Sequence, residues 1–234
     1  MIGTTDRMPV DYAQYYLYGT NYVEGEDHDA FQRIWTGNSV AAAAPDHLAV
    51  SCGTHAGSIR LTVEGRVDPP GPPGADWETV VDLSLYSVTG ELGVQAWGGE
   101  ATDEAVRGNL AVAGAGWYRV RVETRGRDRG RALNVANPWV EEHRLTLWPA
   151  PPAPDHVYRV TDEVGKTTYD PTRPADPPIH PPIRPAASSA DESLLRAWAR
   201  TAGIAIDDNR PIPQSVRALA TATGFLPTGQ HDEP

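Results

Sequence analysis

The sequence predicts a mainly β protein, with an antiparallel β-sandwich or jelly-roll domain over residues 8–165, a proline-rich linker over 166–188 and a small two-helix domain over 189–225. Three observations lead to this prediction. Apolar and polar residues alternate in short runs, residues 149–185 hold 11 of the 22 prolines, and helical periodicity follows them. The length of 234 residues suffices for one large β domain and a small second one.

Alternating runs predict the strands of the β domain. In Val80–Val88 one side of the predicted strand holds Val81, Leu83 and Leu85, and the other holds Asp82, Ser84 and Tyr86. The run Trp117–Thr124 shows the same period of two. Residues 59–67 and 143–148 follow this pattern, and turn-rich segments separate the runs. The pair Thr89–Gly90 predicts a tight hairpin between the first of these runs and the strand that follows it. Several short strands at this spacing are typical of sandwiches and jelly-rolls.

An array of arginines is the most distinctive feature of the β domain. Six of them fall within thirteen residues: Arg119, Arg121, Arg125, Arg127, Arg129 and Arg131. The first three share one face of the predicted strand. This pattern favours a solvated outer face, interleaved with acidic residues of neighbouring strands such as Asp82. A surface for nucleic acid or for an acidic partner is the alternative.

The C-terminal segment predicts two short helices. Ser189 and Glu192 form a capping box at the start of the first helix, which is predicted to end at Gly203. Pro213 suits the first turn of the second helix, which is predicted to end at Gly224. The residues predicted to face inward are Leu194, Leu195, Trp198, Ala202, Val216, Leu219 and Ala220.

A motif in this segment resembles a known DNA-binding family. Six positions between residues 191 and 224 keep one pattern and its spacing: Arg196, Trp198, Ala199, Gly203, Ile212 and Pro213. On these residues the segment resembles the DNA-binding domain of the actinobacterial H-NS-like xenogeneic silencers, which are nucleoid-associated proteins. The resemblance implies a two-helix fold that contacts the minor groove of AT-rich DNA.

The chain departs from this family at the residues that enter the groove. The family places an Arg-Gly-Arg hook directly before Ile-Pro, whereas this sequence has Asn209, Arg210 and Pro211 there. One arginine beside proline lacks the second charge and the flexible glycine, so we expect weak binding with a preference for AT-rich DNA. The DNA-binding residues that the resemblance implies are Arg210, Asn209, Arg196, Arg200 and Arg217.

A partner protein is the alternative to DNA. The same two-helix architecture resembles the peripheral subunit-binding domains of acyltransferase complexes, which use it to dock a protein. The β domain is predicted to be a binding module, and its sequence does not identify the ligand.

Composition excludes several classes of function. The chain has 31 acidic and 20 basic residues, a net charge of −11, which disfavours coating of nucleic acid by bulk positive charge. No run of 18 apolar residues predicts a membrane span. Residues 1–9 lack the basic and apolar parts of a secretory signal, so we expect a cytoplasmic protein. Cys52, the one cysteine, excludes an internal disulfide and a four-cysteine zinc site.

Three further clusters are predicted to be ordinary structural or solvated residues. Cys52-Gly-Thr-His55 has metal-like spacing but no second pair of ligands, and the acidic residues 24–29 lack the EF-hand pattern. Glu141-Glu142-His143 offers acid–base groups without an assigned nucleophile. Because the sequence shows no nucleophile elbow and no phosphate-binding glycine loop, we expect no enzyme activity, metal site or cofactor.

Overall fold

The computed structural model describes residues 2–19, 33–34, 37–99, 102–181, 189–204, 206, 212–223 and 225. The prediction of a mainly β protein is confirmed. The chain divides into two compact units, residues 1–181 and residues 182–234, which are considered separately below. Among the described residues, no helix is both long enough and apolar enough to cross a membrane.

The elements follow one another in this order. In the described part of the first unit the strands are β1 (Ile2–Val10), β2 (Gln14–Tyr18), β3 (Ala41–Ala44), β4 (His47–Ser51), β5 (Ala56–Gly65), β6 (Thr79–Ser87), β7 (Gly93–Ala96), β8 (Gly116–Arg125), β9 (Val135–Ala136), β10 (Glu142–Pro149) and β11 (His156–Val160). The α-helices of this unit are α1 (Arg127–Leu133) and α2 (Glu163–Lys166). Those of the second unit are α3 (Ser189–Thr201) and α4 (Gln214–Ala222).

The strands of the first unit form two sheets that share one core. A seven-stranded sheet has the order β1-β5-β10-β8-β6-β11, with β9 paired to β5, and a four-stranded sheet has the order β3-β4-β2-β7. Apolar residues at alternate positions of both sheets belong to a single buried cluster, such as Leu17 and Val50 from the smaller sheet and Leu61, Val81 and Val120 from the larger one. The period-two alternation therefore identified the core-facing residues of these strands.

The larger sheet is mixed, which corrects the prediction of purely antiparallel pairing. β10 runs parallel to β5, with Leu145 opposite Val63, and antiparallel to β8, with Leu145 opposite Val122. The short strand β9 also runs parallel to β5. Alternation alone gives the face of a residue and not the direction of the neighbouring strand, because both pairings use the same period.

The predicted hairpin at Thr89–Gly90 is wrong, although the turn exists. Gly90 has a φ of +80°, in the left-handed region that favours glycine. The strand that follows, β7, pairs with β2 of the other sheet and not with β6. Backbone N–H groups on both sides of the turn are taken by side chains, because the Asp46 carboxylate accepts from Val88 and the Asn109 amide oxygen accepts from Leu92.

Two arginines of the array, Arg119 and Arg121, are buried on the face of the larger sheet that points away from the core, whereas the sequence favoured a solvated face. Arg125, on the same face, is 41% exposed. Arg121 Nε and Nη2 donate to the two carboxylate oxygens of Asp82 at 2.8 and 3.0 Å. Arg119 Nη1 donates to the hydroxyl of Ser84 and to the carbonyl of Ala153, at 2.8 and 2.7 Å. The predicted pairing with Asp82 is present, and both guanidinium groups are almost wholly withdrawn from water.

Proline-rich segments cover this face and supply acceptors to it. The carbonyl of Gly71 accepts from Arg121 Nη1 at 2.6 Å, and the carbonyl of Pro154 accepts from Arg119 Nη1 at 3.1 Å. Tyr158 of β11 lies over Arg121, with its ring centroid 4.9 Å from the guanidinium carbon. The covering segments thus satisfy buried donors that would otherwise be left without partners.

Residues 166–188, the predicted linker, fall into two parts. Residues 166–181 belong to the first unit and not to a linker. The N–H of Asp155 donates to the carbonyl of Asp176 at 3.0 Å, and the ring of His180 lies 5.0 Å from that of Trp117. Residues 182–188 lie outside the described residues.

The two helices of the second unit pack around a small core. Leu195 and Ala199 of α3 meet Val216 and Ala220 of α4, and Ile212 is buried with them. The first helix ends as predicted, because Gly203 has a φ of +73° and the next N–H donates back to the carbonyl of Ala199 at 2.9 Å. The side chains of Ser189 and Glu192, and Gly224, lie outside the described residues.

Three residues predicted to face this core are exposed. Leu194 is 59% exposed and Leu219 is 47% exposed, and Ala202 is exposed as well. A helix that meets a single partner helix buries one narrow stripe, here Leu195 and Ala199 at i and i+4. Leu194 is about 100° away from that stripe around the helix axis, so adjacent leucines cannot both face the partner.

The buried pair of Arg121 and Asp82 generates a prediction about stability. Asp82→Asn should lower the free energy of unfolding by about 3–5 kcal/mol, because it leaves a desolvated guanidinium without its counter-charge. The double variant Asp82→Leu with Arg121→Met should recover most of that loss. Urea denaturation of the full chain measures both values.

The matched control is Asp76→Asn, which removes an exposed partner of Arg125. Its side chain is 63% exposed, so the loss should stay below about 1 kcal/mol. Equal losses for the two single variants would contradict this account of the face.

Candidate functional site

A buried polar cluster lies at the start of β10. The carboxylate of Glu141 accepts backbone hydrogen bonds from Gly53 at 2.8 Å and from Thr54 at 2.7 Å, both in the loop between β4 and β5. His143 Nε2 lies 2.8 Å from the same carboxylate, and both side chains are fully buried. Burial alone would raise the pKa of Glu141, but the bonds from His143 and from the loop outweigh burial and lower it.

Hydrogen bonding assigns the tautomer of a neutral His143 ring. The Glu141 carboxylate is ionised and can only accept, so Nε2 of His143 carries the proton. Nδ1 is then an acceptor, and the hydroxyl of Tyr15 on β2 donates to it at 3.1 Å. Residues from both sheets thus meet in one chain of hydrogen bonds: tyrosine, histidine, glutamate and backbone amides.

Cys52 completes the cluster. Its Sγ, a carboxylate oxygen of Glu141 and a ring nitrogen of His143 all lie within 4.8 Å of one another. Burial, together with the negative charge of Glu141, raises the pKa of the Cys52 thiol well above its ordinary value, while Arg127 opposes this shift. The thiol is therefore neutral at pH 7, and the cluster resembles an enclosed ligand set more than an activated nucleophile.

The structure joins two motifs that the sequence left separate. Cys52 and Glu141–His143 come together, whereas His55, the other half of the cysteine motif, is exposed and lies against the ring of Tyr12 at 5.7 Å. The spacing from Cys52 to His55 therefore did not indicate this cluster, because Cys52 lies with Glu141 and His143 and not with His55. The signal that sequence reasoning lacked was the parallel pairing of β10 with β5, which brings Glu141 beside the loop.

A cavity of about 230 Å³ lies elsewhere in the first unit, beneath residues 169–176. Its lining includes Asp155 and Asp176, and Nδ2 of Asn38 donates to the carboxylate of Asp155 at 2.6 Å. Burial, with a smaller contribution from Asp176, raises the pKa of Asp155 to about 6. Asp155 therefore ionises near pH 6, and its ionisation lowers the stability of the folded state.

The residues predicted to bind DNA lie in the second unit. Arg196 and Arg200 directly follow the core residues Leu195 and Ala199 of α3, and Arg217 follows Val216 of α4 in the same way. Arg200 is exposed, and the other two arginines are partly buried. Asn209 and Arg210 lie outside the described residues, as do the acidic residues 24–29.

Comparison with known proteins does not assign the chain to a family. No protein-family profile and no curated protein matches the chain. A solved structure titled "Crocagin biosynthetic gene J" is similar at 12% identity and a TM-score of 0.39, over 64% of this chain and 98% of that one. A likeness at this level carries no argument about function.

Glu141 generates a prediction about stability. Glu141→Gln keeps the shape but removes the charge that accepts three hydrogen bonds, so the free energy of unfolding should fall by about 2–4 kcal/mol. The neighbouring change Glu142→Gln is the control, because Glu142 pairs with the partly exposed Arg125. Its loss should be smaller than that of Glu141→Gln, because Arg125 and Arg60, the partners of Glu142, are 41% and 38% exposed and water screens their charges. Thermal and urea unfolding compare the two, and a larger loss for Glu142→Gln would contradict the assignment.

Asp155 generates a prediction about pH. A carboxyl whose pKa is raised on folding stabilises the folded state below its ordinary pKa, and that stability is lost as pH rises through about 6. Asp155→Asn, which is neutral at every pH, should therefore raise the free energy of unfolding at pH 8 by about 1–2 kcal/mol. The gain should disappear below about pH 4, near the ordinary pKa of aspartate.

The control for this measurement is Asp170→Asn, also in the lining of the cavity. The hydroxyl and N–H of Thr172 lower the pKa of Asp170, which gives it the opposite sign. This variant should not stabilise the protein at any pH, and a gain equal to that of Asp155→Asn would overturn the interpretation.

Proposed function

We propose that the chain is a non-enzymatic, nucleoid-associated-like DNA-binding protein whose two-helix unit contacts the minor groove of AT-rich DNA. The observation that carries the proposal is the packing of Ile212 against Leu195 and Ala199, directly before Pro213 and α4. This is the framework that the resemblance to H-NS-like silencers implies. We propose that a protein with this function acts in the cytoplasm.

The arginines of the unit support this function by their position. These three arginines, Arg196, Arg200 and Arg217, each come one residue after a core position, which is about 100° around the helix axis from the buried stripe. We assign phosphate contacts to these three, since phosphate contacts supply most of the affinity of a DNA-binding unit. We assign the minor groove to Arg210, flanked by Asn209, because a narrow AT-rich groove attracts a single inserted arginine.

The first unit has a different role in the proposal. Its two sheets form a sandwich that serves as a binding module, and the ligand of that module is not defined by the cluster at Cys52. That cluster is enclosed: Glu141 and His143 are fully buried and Cys52 is 4% exposed. Enclosure favours a structural role over turnover of a substrate.

A second candidate is docking of a partner protein by the same helices. The observation that favours it is the exposure of three apolar side chains on this small unit, Leu194, Leu219 and Phe225. Phe225 stacks on Trp198, with ring centroids 5.4 Å apart, and extends an apolar surface from the core. Exposed apolar groups of this kind are typical of interaction surfaces.

Binding of the full chain to AT-rich and GC-rich duplexes tests the proposal. The AT-rich duplex should bind more tightly, and Arg210→Ala should weaken it by about tenfold. The logarithm of the association constant should fall with the logarithm of salt concentration, with a slope of about −2 to −4 for two to four phosphate contacts. Fluorescence anisotropy measures both quantities.

The matched control is Arg131→Ala, which removes an exposed arginine from the first unit and makes the same change in net charge. It should leave affinity and salt slope unchanged. Equal affinity for the two duplexes, or absence of binding at low salt, would contradict the DNA proposal and favour protein docking.

A further inference from the structure

The buried cluster at the start of β10 combines three residue types that bind metal ions. A thiol, a carboxylate and an imidazole converge from two distant parts of the chain to within 4.8 Å. Sulfur, nitrogen and oxygen from cysteine, histidine and acidic residues are the ligands that zinc takes in proteins. We propose that Cys52, Glu141 and His143 bind a zinc ion that stabilises the first unit.

The distances between the ligand atoms of the three residues are close to those of a zinc site. Zinc bonds of about 2.0–2.3 Å at tetrahedral angles place ligand atoms roughly 3.3–3.8 Å apart. His143 Nε2 and Glu141 Oε1 are closer than this, at 2.8 Å, and the thiol is within 4.8 Å of both residues. Binding of an ion would therefore require His143 Nε2 and Glu141 Oε1 to move apart by about 0.5 Å.

The charges also balance. Bound to the metal, Cys52 is a thiolate and Glu141 is a carboxylate, and together they neutralise a divalent cation. The nearby cation Arg127 is paired separately, with its Nη1 3.2 Å from Oδ1 of Asp162. No charge is thus left uncompensated in a site without access to water.

Groups around the ligands hold them in place. When Nε2 of His143 binds the metal, the ring proton moves to Nδ1, which then donates to the hydroxyl of Tyr15. Glu141 keeps its bonds from the backbone N–H groups of Gly53 and Thr54. A ligating histidine whose other nitrogen is hydrogen-bonded, and a ligating carboxylate that is itself hydrogen-bonded, are the usual surroundings of zinc.

An independent observation points to a missing partner at the same place. The hydroxyl of Thr54 is fully buried and, in the described part of the chain, has no hydrogen-bond partner. Thr54 Oγ1 and Glu141 Oε2 both lie close to Gly130, at 2.4 and 2.5 Å from the position that a Cβ atom would take on that glycine. We assign the fourth coordination position to this side of the cluster, next to the Thr54 hydroxyl.

The site is closed, so its metal would be structural. Four-coordinate zinc in a closed site contributes directly to folding. Here it would join the loop after β4 to the start of β10, at the point where β10 pairs in parallel with β5. The metal acts in the first unit and does not depend on DNA binding by the second.

Metal analysis of the full-length protein tests the proposal. Protein refolded with zinc and then desalted should retain about one zinc per chain, and chelator should lower its thermal midpoint. Refolding with cobalt should give a sulfur-to-cobalt charge-transfer band. Because the chain has one cysteine, that band reports on Cys52 alone.

Cys52→Ala should reduce the retained zinc at least tenfold and abolish the band. The matched control His55→Ala, in the same loop and exposed, should retain both. If Cys52→Ala does not fold, the presence or absence of the sulfur-to-cobalt band in the wild-type protein tests whether Cys52 binds the metal. Absence of the band, or retention of less than about a tenth of a zinc per wild-type chain, would overturn the proposal.

Discussion

The pairing of Arg121 with Asp82 is the interaction on which the outer layer of the first unit depends. A buried guanidinium is tolerated only when counter-charge and acceptors meet nearly all of its donors. Asp82 provides the charge, and Gly71 and Tyr158 provide further oxygens at 2.6 and 2.9 Å. Segments rich in proline and glycine suit this covering role, because proline presents a carbonyl acceptor without adding an N–H that would itself need a partner.

The sequence could predict the strands but not their environment. Alternation located β5, β6, β8 and β10 and identified their core-facing residues, because the period of two follows from strand geometry alone. The same alternation placed Arg119 and Arg121 on a solvated face. What covers that face comes from residues 71, 153–154 and 158, which are distant in sequence, so no local pattern carries the information. The second unit shows the same limit, since periodicity could not choose between Leu194 and Leu195.

The buried cluster was beyond sequence reasoning for a related reason. Glu141 and Gly53 are 88 residues apart in the chain, and their hydrogen bond exists because β10 runs parallel to β5. Each half of the cluster looks ordinary by itself: a cysteine after one strand, and a Glu-x-His before another. The parallel pairing of β10 with β5 brings them together. A parallel neighbour inside a mainly antiparallel sheet is therefore the feature that creates the cluster.

The two units use arginine in different ways, and this bears on the salt dependence of the proposed DNA binding. In the first unit the cationic groups of Arg119, Arg121 and Arg127 are buried and internally bonded, so they offer nothing to a phosphate. The chain as a whole, at −11, repels DNA at long range. That repulsion is screened beyond about 10 Å at 0.1 M salt, whereas the proposed phosphate contacts are local. The affinity for DNA would thus come from a few short-range contacts. The slope of the logarithm of the association constant against the logarithm of salt concentration would then report the number of these contacts and not the net charge of the chain.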